Sequence, residues 1–299
     1  MRESGMYAPG TITAYERAIK HCQDIVAEGG GRDNPRRVTE NDLRRLLDSL
    51  PDHTTTRKYY HTIYAGFLKW CGNEPINRLK PRWPLASRIN VDWLDPEQAD
   101  RVREVAMGMD PLTALVVHLE LDLMLRRIEV LRLRVQDIHK DSIEVLGKGR
   151  FGGKPRTVSL TPGESEAIIG RWLEVRNILL SQTEGPQTDK LVVYLRERTL
   201  FPYKRSALDA VLDRLKRESG IGFKGHHTLR RTGGRLMWQE GVAIETVASI
   251  MGHETTEMTL RYIGVNLDDQ AKAFQTVRDA RIQRAKSVEI VPLEQGPGV

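Results

Sequence analysis

Cysteine is scarce in this chain: only Cys22 and Cys71 occur in 299 residues, with no C-x-x-C pair and no tight Cys/His cluster. Disulfide frameworks and zinc sites need such groupings, so the sequence supports neither and reads both thiols as core residues. A long apolar run is also missing. Hydrophobic residues make up 39% and charged residues 29%, and no stretch reaches the roughly 20 apolar residues that cross a bilayer. Met1 to Gly5 show no basic start followed by an apolar core, so no secretory signal is expected, and the expected compartment is the cytoplasm. The G-x-x-x-x-G-K-[ST] spacing of a phosphate-binding P-loop is absent, because Lys154 is followed by Pro155 rather than Ser or Thr. No nucleotide, other cofactor or metal is therefore expected, and no membrane.

What is present is a basic excess. The formal net charge is +6 with a pI near 9.3, which suits a polyanionic partner without proving one. Residues 1–92 carry +4 of it, with 15 Lys/Arg against 11 Asp/Glu, and the remaining two thirds only +2.

Helical periodicity dominates. Residues 11–27 repeat apolar positions at helical spacing before Gly29-Gly30-Gly31, a second helix follows the N-cap residue Thr39, and a third begins at Thr54 or Thr55. In the third, Arg57, Lys58 and Lys69 are interleaved with Tyr60, Tyr64 and Phe67. Taken alone, this is a small bundle with a solvated basic face; with a polyanion, it is a binding surface. Residues 75–92 are rich in proline and basic residues and read as a linker. Leu94-Asp95-Pro96 opens a second domain, with helical patterns at 111–125 and 126–134. Two β-rich runs, 142–146 and 156–160, then flank a Gly- and Lys-rich tip bearing Lys148, Arg150 and Lys154, a hairpin pattern. The expected fold is mainly α with one small β hairpin: domain 1–92 with its linker from about 75, then domain 93–299 with a C-terminal helix and tail over 265–299.

Four pieces of the second domain carry groups suited to a phosphodiester. Arg126 and Glu129 are three apart on a helix, so the carboxylate fixes the guanidinium; alone, this is an ordinary ion pair. Lys148 stands between glycines at the hairpin tip. His227 and Arg230 again share a helical face through i,i+3 spacing, and His226 is a rival to His227 only by adjacency. His253 is followed nine positions on by Tyr262.

In order and spacing these residues resemble the tyrosine recombinase (phage integrase) family. Leu125-Arg126-Arg127-Ile128-Glu129 resembles its first arginine box and Gly147-Lys148-Gly149 its lysine hairpin. His227-Thr228-Leu229-Arg230 and Met251-Gly252-His253 through Tyr262 resemble its second box. Three departures stand out: Met124 occupies a usual glycine, Arg231 a usual histidine and Met251 a frequent leucine. The resemblance implies an N-terminal core-binding, SAM-like helical bundle joined to a recombinase catalytic domain. It also implies an enzyme that cuts and rejoins DNA through a 3′-phosphotyrosyl link. Tyr262 is then the nucleophile, His227 its proton acceptor, and Arg126, Arg230 and His253 hold the phosphate, with Glu129 supporting and Lys148 protonating the leaving 5′-oxygen. Arg57, Lys58, Lys69, Arg150 and Lys154 are the expected DNA contacts.

Specific recombination sites on double-stranded DNA, and a tetramer spanning two of them, are the implied partners. The layout resembles simple Xer-like enzymes and mobile-element integrases, with no room before the first helices for an arm-binding domain. The alternatives are a type IB topoisomerase or telomere-resolvase-like strand transferase, and a catalytically silent site-specific DNA-binding protein.

Overall fold

The computed structural model describes residues 7, 9–30, 34–50, 54–73, 81, 83, 91–147, 153–265 and 267–288. The chain divides into two units, Met1–Asn90 with Glu144–Arg156, and Val91–Ile143 with Thr157–Val299.

In the first unit, α1 (Pro9–Glu28), α2 (Glu40–Ser49) and α3 (Thr54–Trp70) follow the expected order. The start of α2 is fixed by local chemistry: the Asp42 N–H donates to Thr39 Oγ1 at 3.2 Å, and the Thr39 N–H donates back to the Asp42 carboxylate at 2.9 Å. Such a reciprocal cap satisfies donors that the first turn leaves open. Cys22, Val26, Leu43, Leu46, Tyr64 and Leu68 close a common core. Tyr64 enters it with its hydroxyl donating to Gln23 Oε1 at 2.7 Å, so no polar group is stranded. Burial pushes the Cys22 thiol up to about 12, which makes it the inert core residue expected, whereas Cys71 is partly exposed.

The strands β1 (Ser142–Leu146) and β2 (Pro155–Ser159) form the expected hairpin, with β2 starting one residue early. At its neck the Gly147 N–H donates to the Lys154 carbonyl at 2.9 Å. Gly153 has a φ of +110°, and a Cβ there would collide with the Gly147 carbonyl, so this crossing admits only glycine. Lys148 and Arg150 lie outside the described residues.

The second unit opens at α4 (Pro96–Met109), capped by Asp95 and Gln98 with Pro96 in the first turn. Asp110 then caps α5 (Pro111–Val117), its Oδ1 accepting from the Thr113 N–H at 2.9 Å. The periodicity predicts one helix over 111–125, and here the structure differs. The α-helix stops at Val117, a π-helical turn covers His118–Asp122, and Met124 takes a φ of +53°. A side chain in this left-handed region costs roughly 1–2 kcal/mol. Burial of Met124 against Val247, Met251 and Ile263 offsets that cost. The short α6 (Arg127–Arg132) follows, then α7 (Glu164–Ser181) beyond the hairpin.

A second hairpin is an unforeseen element. β3 (Val193–Arg196) pairs antiparallel with β4 (Thr199–Pro202) in the register Arg196 to Thr199. Its two-residue turn, Glu197-Arg198, has φ of +48° and +55°, a type I′ geometry built without the usual Asn or Gly. Five helices complete the described residues: α8 (Arg205–Ser219), α9 (His226–Gln239), α10 (Ile244–Met251), α11 (Thr256–Ile263) and α12 (Leu267–Val288). α9 lies against the π-helical turn at Gly233, where an added Cβ would collide with the Leu121 carbonyl. This close crossing brings the two arginine-bearing segments together. Among the described residues no helix is long and apolar enough to cross a membrane.

Candidate active site

Arg126 stands at the N-terminus of α6, where its backbone N–H donates to Glu129 Oε2 and its Nη1 to Glu129 Oε1, both at 2.8 Å. Glu129 is fully buried. Across it sits Arg230 of α9, 1% exposed, with Nη1 3.6 Å from Glu129 Oε2. Arg230 also donates from Nη1 to the Met124 carbonyl and from Nη2 to the Met251 carbonyl. A buried guanidinium costs several kcal/mol unless paired and hydrogen-bonded; here one carboxylate and two carbonyls partner its two terminal nitrogens. The left-handed turn at Met124 thus has a use, since it aims the residue's own carbonyl at Arg230. One carboxylate therefore holds both arginines, which are 104 positions apart in sequence.

Tyr262, near the end of α11, lies beside this cluster. Its hydroxyl is 3.0 Å from His227 Nδ1 and 3.4 Å from the His227 carbonyl. His253 follows α10, and its ring meets that of Tyr262 edge-on with centroids 5.2 Å apart. Thr259 Oγ1 anchors His253 Nδ1 at 2.9 Å, which leaves Nε2 3.4 Å from Arg230 Nη2. Five of the six expected reacting residues thus come together; Lys148, the sixth, lies outside the described residues. The supporting Glu129 is also in place.

The electrostatics of the pair follow from its surroundings. Partial desolvation, then the cations of Arg230, Arg231, Arg126 and Arg127, hold the His227 imidazole below the usual histidine range. It is therefore neutral near pH 7 and free to accept a proton. Burial raises the Tyr262 phenol above its ordinary value, and Arg230, Arg231 and Arg126 oppose that rise. The arrangement is a phenol that keeps its proton at rest beside a neutral base, with cations placed to stabilise the oxyanion once it forms.

The sequence matches the model of the Phage integrase family over residues 92–268. This chain belongs to that family, the tyrosine recombinases. Tyrosine recombinase XerC of Lactobacillus leichmannii is 22% identical over 280 residues, which cover 89% of this chain and 92% of that protein. XerC of Caldanaerobacter subterraneus subsp. tengcongensis is 31% identical over 153 residues, 50% of this chain and 40% of the relative. Among solved structures, XerA recombinase matches with a TM-score of 0.52 at 21% identity, covering 91% of this chain and 94% of its own. The Tn1549 transposon integrase in complex with circular intermediate DNA matches with a TM-score of 0.65 at 15% identity, covering 91% and 95%. These likenesses show the recombinase fold and do not favour the topoisomerase or silent-binder alternatives.

Several residues around the integrase site were not singled out by spacing. Arg231 donates from Nε to the Tyr262 carbonyl at 2.8 Å and from Nη1 to the Asp92 carbonyl at 3.0 Å. Only its departure from the family pattern drew attention to it. His226, next to His227 in sequence, joins Glu120, Asp209 and Arg127 in a chain of ionisable side chains. Of the expected DNA contacts, Lys58, Lys69 and Lys154 are exposed, while Arg57 turns inward to donate to the Leu50 carbonyl at 3.2–3.3 Å. Arg150 is outside the described residues. Of possible metal ligands, His118, Asp122 and Glu164 come near one another. However, His118 already bonds Asp122 and Ser165 at 2.9 Å, and Arg103 pairs with Asp122 at 2.8 Å, so a cation would compete with an existing guanidinium.

Proposed function

We propose that this recombinase cuts and rejoins duplex DNA at specific sites through a 3′-phosphotyrosyl intermediate on Tyr262. The observation that carries the reading is the 3.0 Å approach of the Tyr262 hydroxyl to His227 Nδ1 beside the buried Arg230. The phenolic oxygen attacks the scissile phosphorus as its proton passes to His227. Arg126, Arg230 and His253 take the charge of the nonbridging oxygens. The bond to the 5′-oxygen breaks, and Lys148 is the proposed donor of the proton that this oxygen takes up. Reversal by a new 5′-hydroxyl reseals the strand, because the phosphotyrosyl ester conserves the energy of the broken bond.

Binding follows from charge placement. Lys58 and Lys69 are exposed and eleven residues apart on α3, which puts them on one face at about 16 Å along the axis. We assign them, with Lys154 and Arg150, to backbone phosphates, so affinity falls steeply with salt. Four protomers acting on two DNA sites are the proposed assembly. Sedimentation of the DNA complex tests it, and a species that never exceeds one protomer per pair of sites overturns it.

The experiment on the chemistry uses covalent capture. The purified chain is incubated with a random-sequence duplex library, denatured, and the attached fragments are sequenced. A nicked duplex of the recovered site then traps the adduct. Wild type forms it, whereas Tyr262→Phe binds the same duplex and forms none; an adduct in Tyr262→Phe overturns the assignment of the nucleophile.

A further inference from the structure

A second set of ionisable side chains spans four elements. Glu120 in the π-helical turn is fully buried, and both its oxygens lie within 2.7–2.9 Å of His226 Nδ1 at the first residue of α9. His226 Nε2 is 3.2 Å from Asp209 Oδ1 of α8, though without hydrogen-bond alignment. The same Asp209 oxygen pairs with Arg127, the first residue of α6. His226 directly precedes His227, and Arg127 directly follows Arg126. Two members of the chain, His226 and Arg127, are therefore each one residue from a group that the reaction uses.

We propose that Glu120 and His226 are positioning residues, which lock the start of α9 so that His227 meets Tyr262. Through Asp209 and Arg127 they also register α9 against the start of α6 and Arg126. This rests on the function proposed above. Three physical facts support it. Burial raises the Glu120 carboxyl, and its hydrogen bond to His226, then the charges of Arg127 and Arg230, oppose the rise. A buried carboxylate that loses its partner is strongly destabilised, so the pair acts as a unit. The first turn of a helix leaves its N–H groups open and carries positive potential, so a carboxylate at the first residue of α9 suits that end. The neighbouring turn is the one that Gly233 packs against. Glu120 thus bolts together two segments already in van der Waals contact, and its chemistry is not demanded by packing alone. The charged groups facing the pair are Asp209 from α8, Arg127 from α6 and Arg230 from α9 itself.

The test uses the full chain on a nicked duplex of the recovered site, comparing Glu120→Gln, His226→Gln and the double variant. Three quantities are read: the single-turnover rate of adduct formation, the Kd for uncleaved duplex, and the thermal midpoint. Positioning predicts cleavage at least about tenfold slower in each single variant, with Kd within about twofold. It also predicts a double variant no slower than about twofold below the worse single one, because coupled residues are not additive. Glu120→Asp, which keeps the carboxyl group, should recover more of the rate than Glu120→Gln at equal thermal midpoint. Unchanged cleavage in the folded single variants, or rate losses that multiply in the double one, overturns the proposal. If wild type itself forms no adduct, the proposed function has failed instead; if wild type cleaves and the variants match it, only the positioning role has.

Discussion

The Arg231 guanidinium is hydrogen-bonded to the Tyr262 carbonyl at 2.8 Å and its carbon lies 5.0 Å from the centroid of the same residue's ring. A single side chain thus ties down the backbone of the nucleophile and places a cation over its π face. Arg231 also lowers both partners of the proton transfer, the His227 imidazole and the Tyr262 phenol. A histidine at this position, as the family resemblance leads one to expect, would supply neither a permanent charge nor the forked donor set.

Replacing Arg231 by Met should slow cleavage and change its pH dependence. A cation–π contact is worth about 0.5–2 kcal/mol, which is roughly a 2- to 30-fold loss of rate. The sign of the pH effect follows from His227, which acts as a base when neutral. Removing one of the cations that depress its pKa moves the acid limb of the rate profile upward. Arg231→Lys keeps the charge but not the fork, so its acid limb should stay near wild type while its rate falls. Single-turnover adduct formation between pH 5 and 8 measures both. An acid limb that does not move in Arg231→Met would show that this charge does not reach the imidazole.

Met124 gives a prediction with an unusual order. Its φ of +53° favours glycine, while its side chain is fully buried. Met→Ala in a core costs about 2–5 kcal/mol, and Met124→Ala keeps the unfavourable backbone as well. Met124→Gly loses the same packing but regains about 1 kcal/mol from the left-handed backbone. Both variants should be less stable than wild type, with Gly above Ala by about 1 kcal/mol, the reverse of their order in a helix. Urea denaturation at constant m-value tests it; Ala above Gly would mean that the backbone strain is absent.

The residues legible in the sequence were those whose chemistry is local or ordered along the chain. Thr39 and Asp95 announced helix starts because a cap needs only its neighbours. Arg126, His227, Arg230, His253 and Tyr262 were legible because their order is shared by a family, and the fold then placed them together. Glu120 was not legible. It falls in a stretch that reads as one helix from 111 to 125, and its partner His226 is 106 positions away. Only the π-helical turn and the close crossing at Gly233 bring them together. The β3–β4 hairpin was missed for a different reason: Glu197-Arg198 carries neither Asn nor Gly, the residues that reveal a type I′ turn.

That turn is a place to add stability. Glu197 and Arg198 are both exposed and both in the left-handed region. Asn-Gly at these positions should stabilise the unit by about 0.5–1.5 kcal/mol, from relief of two unfavourable backbones. This allows for loss of the exposed Arg198–Glu184 ion pair, worth about 0–1 kcal/mol. The Glu184 N–H keeps its bond to the carbonyl of residue 198 at 2.9 Å. Glu197→Ala with Arg198→Ala removes the same side chains without relieving the backbone and should give no gain. Thermal melts of the two double variants separate conformational relief from side-chain loss.

Glu129 should separate DNA binding from cleavage. Its buried carboxylate holds the Arg126 N–H and Nη1 at 2.8 Å and faces Arg230 Nη1 at 3.6 Å. Removing it outright leaves a buried guanidinium without its counter-charge, so Glu129→Ala should cost about 3–5 kcal/mol. Glu129→Gln is the sharper variant. It keeps the shape and one acceptor oxygen, but turns an NH2 toward one of the two Arg126 donors, at a cost of about 1–3 kcal/mol. The site becomes one charge more positive, so affinity for duplex DNA should hold or rise. Arg126 meanwhile loses the bidentate hold that aims it at the phosphate. Loss of one transition-state donor slows catalysis by about 10²–10³-fold, and cleavage by Glu129→Gln should fall within that range. Gel shifts at fixed salt and adduct formation on the same nicked duplex give the two numbers. Weaker binding with cleavage preserved would mean that the carboxylate serves the fold alone and that Arg126 finds its phosphate without it.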